Sequence, residues 1–368
     1  MIKVFEVSSD TNIGGAGKCL LILLKEMDRS KFDVTAVLPK NSLLKPLVEE
    51  LEVRVIEVEG IADKSLDLSA VKELKRIFNK EKPDIVHTHA SMSARIAAKF
   101  AGCKVVYTRH SVFPPSAKIS KGIGKLINGA VNSFFADRII AVADAAKDNL
   151  TQTGVPENKI DVILNGVYPL KRIDDKTELK KRFGIEEGEK TASIVARLED
   201  IKGHDYFIDA AKMLLDKGVR AKFIIAGTGS YEEHLKRKVK DLGCEKNILF
   251  TGFLTDVDRL MAVTDVQVNA SFGTEATSLA LLEGMSIGVP AVVSDFGGNP
   301  GVIKNGVNGF VVPKKNAQAL ADCLELVLQN DELRQKLSEG AEKVFNERFT
   351  AQIMTKNTEA VYTKVIGG

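Results

Sequence analysis

The sequence is poor in cysteine, and the four it has (Cys19, Cys103, Cys244 and Cys323) stand far apart, never as a Cys-x-x-Cys pair. That excludes a disulfide framework and a structural zinc site, and makes a reducing, cytoplasmic setting the expectation. No run approaches the roughly 18 consecutive apolar residues of a membrane span. The opening Met-Ile-Lys-Val-Phe-Glu-Val reads at once as a strand, without the basic stretch and apolar core of a secretory signal. Charge of one sign is not in excess either. Lys plus Arg total 52 against 49 for Asp plus Glu, a net +3, unlike nucleic-acid binders, whose domain pI usually exceeds about 9. No nucleic-acid partner is expected. Low-complexity segments and short repeats are missing.

What is present is ample core material. The chain has 368 residues, 44% hydrophobic and 27% charged, which suggests about two domains of roughly 150 residues or more. Strand-length apolar runs alternate with longer helical patterns: Ile2–Val7, Asp33–Leu38, Val53–Val58, Asp84–Thr88, Lys104–Thr108 and Arg138–Val142 read as strands. Continuous Val/Ile runs between helices mean βαβ units and a parallel sheet covered on both faces. The pattern pauses at Asn165-Gly166-Val167-Tyr168-Pro169, and the charged tract Lys171 to Arg182 reads as a linker. It then restarts with strands at Lys190–Val195, Ala221–Ala226, Ile248–Gly252, Val266–Asn269, Ala291–Ser294 and Gly309–Val312. The expected fold is α/β, two Rossmann-like doubly wound domains over 1–167 and 168–349, with ligands at the carboxyl strand ends facing a cleft.

Four stretches carry chemistry. Gly14-Gly15-Ala16-Gly17 follows the first strand and opens a helix; its backbone N–H groups suit an anion, and a plain tight turn is the alternative. Arg197 and Lys202 lie just past the strand ending at Val195, where a diphosphate needs neutralising; solvated surface charge is the alternative. Glu275 and Glu283 stand eight apart around a helix start that Thr277 or Ser278 caps. Glu275 then suits sugar hydroxyls, the N–H groups of Ser278 and Leu279 a phosphate, and Glu283 a ribose; two unrelated surface acids are the alternative. His87 and His89 share a strand face, but no third ligand has matching spacing to them, so no metal is expected and a core imidazole is the ordinary reading of His87. His110, at a strand's carboxyl end, is read as functional.

Together with Asn165-Gly166-Val167, Gly227-Thr228-Gly229, Phe250-Thr251-Gly252-Phe253, Gly288-Val289-Pro290 and Gly297-Gly298, these stretches resemble, in order and spacing, the family-4 retaining glycosyltransferases of GT-B fold. The resemblance implies transfer of a sugar from a nucleotide diphosphate sugar, most often UDP-linked, to a glycan or lipid-linked acceptor, in polysaccharide or cell-envelope biosynthesis. It implies that Gly15, Arg197, Lys202, Ser278 and Leu279 meet the donor diphosphate, that His110 and Glu275 act at the donor sugar, that Glu283 holds the ribose, and that Gly227, Phe253 and Leu254 lie near ribose and base. The segment from Thr350 resembles the family's terminal helix, which crosses back onto the first domain. Three positions depart from the family pattern: Asn299-Pro300-Gly301 where a Glu is usual, Ala276 for Gly, and Tyr168 for Asp.

The only Asp-x-Asp, Asp256-Val257-Asp258, lacks the apolar strand flanks of a metal-holding pair, so no metal or other cofactor is expected. With no evident carboxylate nucleophile, retention implies front-face attack. A sugar-nucleotide epimerase, a non-catalytic nucleotide-sugar sensor and a nicotinamide-dependent dehydrogenase are the competing readings; the last lacks GxGxxG and a ribose acid. Finally, Lys118, Lys121 and Lys125 are spaced to stack on one helical face beside Phe113, Ile119, Ile123, Leu126 and Ile127, in a half of net charge +4 against −1 for the rest. A peripheral contact with an anionic membrane is one expectation. A solvated face with its apolar side in the core is the other, which Gly122 and Gly124 favour.

Overall fold

The computed structural model describes residues 1–62 and 66–367. The chain forms two compact units, one from Met1–Gly166 and Ala351–Gly368, the other from Val167–Thr350. Seven parallel strands make the first sheet: β1 (Ile2–Ser8), β2 (Phe32–Pro39), β3 (Arg54–Val58), β4 (Ile85–His89), β5 (Lys104–Arg109), β6 (Arg138–Ala141) and β7 (Ile160–Val162). Their spatial order is β3-β2-β1-β4-β5-β6-β7, so the winding reverses between β1 and β4. The second sheet has β8 (Lys190–Val195), β9 (Ala221–Ala226), β10 (Ile248–Gly252), β11 (Val266–Asn269), β12 (Ala291–Ser294) and β13 (Gly309–Val312). Its order, β10-β9-β8-β11-β12-β13, reverses between β8 and β11. In such sheets these reversal points, at the carboxyl ends, are where ligands bind.

Both sheets are apolar on two faces because helices cover both. In the first unit Leu20, Leu23 and Leu24 of the helix Gly15–Glu26 pack with Val4, Val34, Val106 and Ile140, and Met354, Val361 and Tyr362 of the closing helix Ala351–Gly367 join them. In the second, Phe207, Leu214 and Leu324 close over Ala192, Phe223 and Val268. Side-chain caps set several helix starts: Asp67 accepts from the N–H groups of Ser69 and Ala70, and Ser278 from Leu281.

Two sequence expectations fail here. The tract 171–182 is not simply a linker, because Thr177–Arg182 is helical and Arg182 pairs with Asp256 at 2.7 Å inside the second unit. The lysines 118, 121 and 125 do not share one helix. A short helix Ala117–Ser120 ends at Lys121, which is extended, and a second helix begins at Gly122. Gly124 tolerates this break, since a Cβ there would lie 1.9 Å from the Lys118 carbonyl oxygen. The helix Gly122–Phe134 also keeps its apolar side out of the core: Ile123, Leu126, Ile127 and Phe134 are all more than half exposed, and only Gly129 is buried.

Candidate active site

In the first unit the parallel pairing of β1 with β4 sets Glu6 opposite His87 and Ser8 opposite His89, and β5 follows with His89 opposite Thr108. Alternation therefore brings Glu6, His87, His89, Thr108 and the following His110 to one face at the carboxyl ends of three adjacent strands. Tyr362 of the closing helix reaches the same place. Its hydroxyl lies 2.5 Å from Glu6 Oε1 and 2.6 Å from His87 Nδ1. His89 Nε2 is 3.0 Å from Glu6 Oε2, His87 Nδ1 is 3.0 Å from the same oxygen, and His87 Nε2 is 2.6 Å from Thr108 Oγ1. On its other side His89 Nδ1 meets His110 Nε2 at 2.8 Å.

Glu6, His87 and Tyr362 are almost wholly buried. Burial alone would push the Glu6 carboxyl up, but the imidazoles of His87 and His89 that face and hydrogen-bond it outweigh burial and hold it far below its usual range. Burial holds His87 below its ordinary value and His110 well below it, so both imidazoles are neutral near pH 7, and it drives the Tyr362 hydroxyl well above.

Sequence spacing offered no third ligand for His87 and His89, but in the fold Glu6 lies close enough to both to make a metal-type trio. Sequence spacing missed it because the third group sits on a neighbouring strand, eighty residues upstream. Each facing atom is nevertheless engaged within the network, and the donor set reads as a hydrogen-bonded cluster.

At the reversal of the second sheet, two loops meet. The loop after β8 carries Arg197 and Lys202, and the loop after β11 carries Glu275. The Phe272 N–H donates to the Ile201 carbonyl at 2.9 Å, joining them. Gly203, at φ +75°, lets the first loop press on Ala270, whose carbonyl oxygen would be 2.1 Å from a Cβ there. This close approach sets the Lys202 ammonium 3.0 Å from Glu275 Oε2 and 3.2 Å from the Thr274 carbonyl. The same Oε2 accepts from Asn269 Nδ2 and Ser271 Oγ at 3.3 and 3.1 Å. Pair and donors are nearly buried: Lys202 and Glu275 side chains are 13% and 9% exposed. Behind them Asn299 donates to Ser294 Oγ, while its own Oδ1 has no hydrogen-bond partner.

Arg197 is placed differently from Lys202. Its side chain is 70% exposed and pairs with Glu199 at 2.8 Å. Ser278 caps the helix Leu279–Met285, where Glu283 is half-buried. Phe253 is exposed, and Leu254 packs beside Phe183 and Ile224. Gly227, at φ +141°, has a packing reason to be glycine, because a Cβ would sit 1.9 Å from the Ala196 carbonyl oxygen. Its N–H donates to the Gly252 carbonyl at 2.8 Å, one residue before Phe253. Gly15, by contrast, faces open space: nothing lies within 4 Å of a Cβ built there. Asp256 is occupied by Arg182, which holds its carboxyl below the usual range.

Residues 175–344 match the family described as glycosyl transferases group 1, and residues 13–169 match Glycosyltransferase Family 4. The chain belongs to the group 1 glycosyltransferases. Among relatives of this enzyme is a UDP-Gal:alpha-D-GlcNAc-diphosphoundecaprenol alpha-1,3-galactosyltransferase from Escherichia coli, 28% identical over 94% of this chain and 92% of that one. An N-acetyl-alpha-D-glucosaminyl L-malate synthase from Bacillus anthracis is 26% identical over 96% and 95%. The crystal structure of Anabaena HepE in complex with UDP superposes with a TM-score of 0.86 at 21% identity, covering 99% of this chain and all of that one, which establishes the GT-B fold. Among the described residues, no helix of this glycosyltransferase is long and apolar enough to cross a membrane.

Proposed function

We propose that this glycosyltransferase moves a sugar from a UDP-linked donor to a hydroxyl of a glycan or lipid-linked acceptor, with retention and without a metal. The observation that carries the reading is the buried Lys202–Glu275 pair at the reversal of the second sheet. A nearly buried cation held there is preorganised against a leaving diphosphate, and a carboxylate anchored by three donors is preorganised to accept sugar hydroxyls. Lys202 and, after release from Glu199, Arg197 neutralise the diphosphate. The backbone at Gly15, Ser278 and Leu279 adds N–H donors, Glu283 takes the ribose, and Gly227, Phe253 and Leu254 border ribose and base. His110 contacts the donor sugar. The acceptor hydroxyl attacks on the front face as the bond to the diphosphate breaks, and the leaving phosphate oxygen takes its proton, so no nucleophile from the protein is needed. The names of the E. coli and Anabaena proteins, which carry UDP-galactose and UDP, support a uridine donor.

An anionic membrane carrying the acceptor is the proposed partner of the helix Gly122–Phe134. Exposed Ile123 and Leu126, 76% and 71% accessible, sit in the same stretch as Lys118, Lys121 and Lys125. Each lysine near an anionic surface contributes about 1 kcal/mol. Sedimentation with anionic vesicles is expected to fall when the three lysines become Gln, and absence of binding at low salt would reject the surface.

Calorimetry and a donor panel test the main reading. Glu275→Gln is expected to cut turnover while UDP still binds, Glu283→Ala to weaken UDP itself, and excess EDTA to leave activity in place. Retention is read from the anomeric configuration of the product. Conversion of UDP-GlcNAc without acceptor would replace transfer by epimerisation.

A further inference from the structure

The hydrogen bonds around Glu6 determine where the protons lie. An ionised carboxylate only accepts, so the single hydroxyl proton of Tyr362 goes to Glu6 Oε1 and the Nε2 proton of His89 to Oε2. With its proton spent, Tyr362 Oη accepts from His87 Nδ1–H, and His87 Nε2 must then accept from Thr108 Oγ1–H. Where His89 carries that one proton alone, its Nδ1 offers a lone pair. The contact at 2.8 Å is satisfied only if His110 Nε2–H donates into it. The neutral His110 ring is then left with a bare Nδ1, and no hydrogen bond within the described residues engages that atom.

We propose that Glu6 is a positioning residue: acting through His89, it locks His110 in the Nε2–H tautomer, so that His110 Nδ1 is held ready to accept a hydrogen bond from a substrate hydroxyl. The proposal rests on the reading of His110 as a donor-sugar contact and adds the groups that give its ring one orientation and one proton position. Parallel register supports the arrangement, since Glu6, His87 and Thr108 stand on adjacent paired strands whose relative positions cannot drift without breaking the sheet. An acid within the buried run Val4-Phe5-Glu6-Val7 would otherwise be costly to desolvate. Tyr362 hydrogen-bonds the carboxylate from the closing helix and so helps to offset its burial.

Ring nitrogen-15 spectra of the whole protein with labelled histidine test the proton positions directly. At neutral pH the unliganded wild type is expected to show His110 and His89 protonated at Nε2 and bare at Nδ1. Glu6→Gln should reverse both: the amide satisfies its two hydrogens only with its nitrogen toward the two histidines, so His89 and then His110 acquire Nδ1–H. Turnover in Glu6→Gln should fall about a hundredfold with the donor KM little changed, as expected of a preorganised hydrogen bond that counts most in the transition state. Tyr362→Phe keeps the Glu6–His89 bond, so it should lower the melting temperature yet keep the tautomer and most of the turnover. If Glu6→Gln does not fold, His89→Asn breaks the link while keeping Glu6, and His110 should lose its single tautomer. A wild-type His110 protonated at Nδ1, or a Glu6→Gln protein with unchanged rings and rate, would overturn the proposal. Full activity of His110→Ala, with the spectra as expected, would instead remove His110 from the donor site and leave the proton positions standing.

Discussion

Apart from Tyr362 on the closing helix, the polar groups of the first unit that meet around Glu6 stand on strands or directly after one, and their mutual distances follow from sheet register. In the second unit Lys202 and Glu275 ride on loops 73 residues apart in sequence, and their approach depends on glycines and a single cross-loop backbone bond. The first cluster is one carboxylate among imidazoles and hydroxyls. The second is a cation facing an anion. A register-built cluster is rigid for the same reason the sheet is, and it suits fine control of a proton. A loop-built pair can open when a charged ligand arrives, because a phosphate can take the ammonium from Glu275 at little cost in fold.

The largest expected effect tests that second half. Lys202→Ala should lower turnover about a hundred- to thousandfold, roughly 3–4 kcal/mol of barrier, and should also lower the melting temperature, because it leaves Glu275 buried without its partner. Arg197→Ala should slow the reaction too but melt as the wild type does, since Arg197 is mostly exposed. Equal melting in both variants would mean that the Lys202–Glu275 pair is no more built-in than a surface pair.

Next come two glycines that look alike in sequence. Gly227→Ala should destabilise the second unit by about 3 kcal/mol, through its positive φ and the Ala196 carbonyl in its way. Gly15→Ala should leave melting unchanged and weaken donor binding, because only a ligand would feel the added methyl. Thermal melting beside calorimetry with UDP separates them, and a destabilised Gly15→Ala would show that the turn, not an anion, requires that glycine.

The last effect concerns acid. His204, buried beside Gly203, is pushed down to about 4 by burial. The unfolded chain takes up the proton first, so the stability from keeping His204 neutral is full above about pH 6.5 and is lost as pH falls toward 4, about 3 kcal/mol in all. His87 and His110 are lowered in the same sense, and Glu6 adds a loss at still lower pH. Unfolding followed from pH 7 to 4 should lose less stability in His204→Phe than in wild type, and parallel curves would remove His204 from the cause.

Much of this was legible beforehand because parallel strands announce themselves as short Val/Ile runs, and His87 and His89 fall on one face by alternation alone. Lys202 and Glu275 were readable as chemistry but not as a contact. Glu6 was legible only in hindsight, as a lone acid inside a buried strand that has to find donors somewhere. The return of the closing helix to the first unit was implied by the resemblance and is found, but nothing local says that its Tyr362 reaches Glu6 on β1. The exposed side of Gly122–Phe134 was misjudged because amphipathic spacing states that an apolar face exists and not what covers it.

The chain leaves the first unit at Gly166 and re-enters it at Ala351, and the second unit's two ends meet where the Val167 N–H bonds the Phe349 carbonyl at 2.9 Å. During synthesis on the ribosome the second unit can therefore close on itself first. The first unit has to wait, with Glu6 still lacking the Tyr362 hydroxyl, until the last helix has emerged. A nascent chain stopped just before residue 351 would hold the complete Lys202–Glu275 pair and an unfinished proton network, so the two halves of the enzyme mature in the reverse of their order in the sequence.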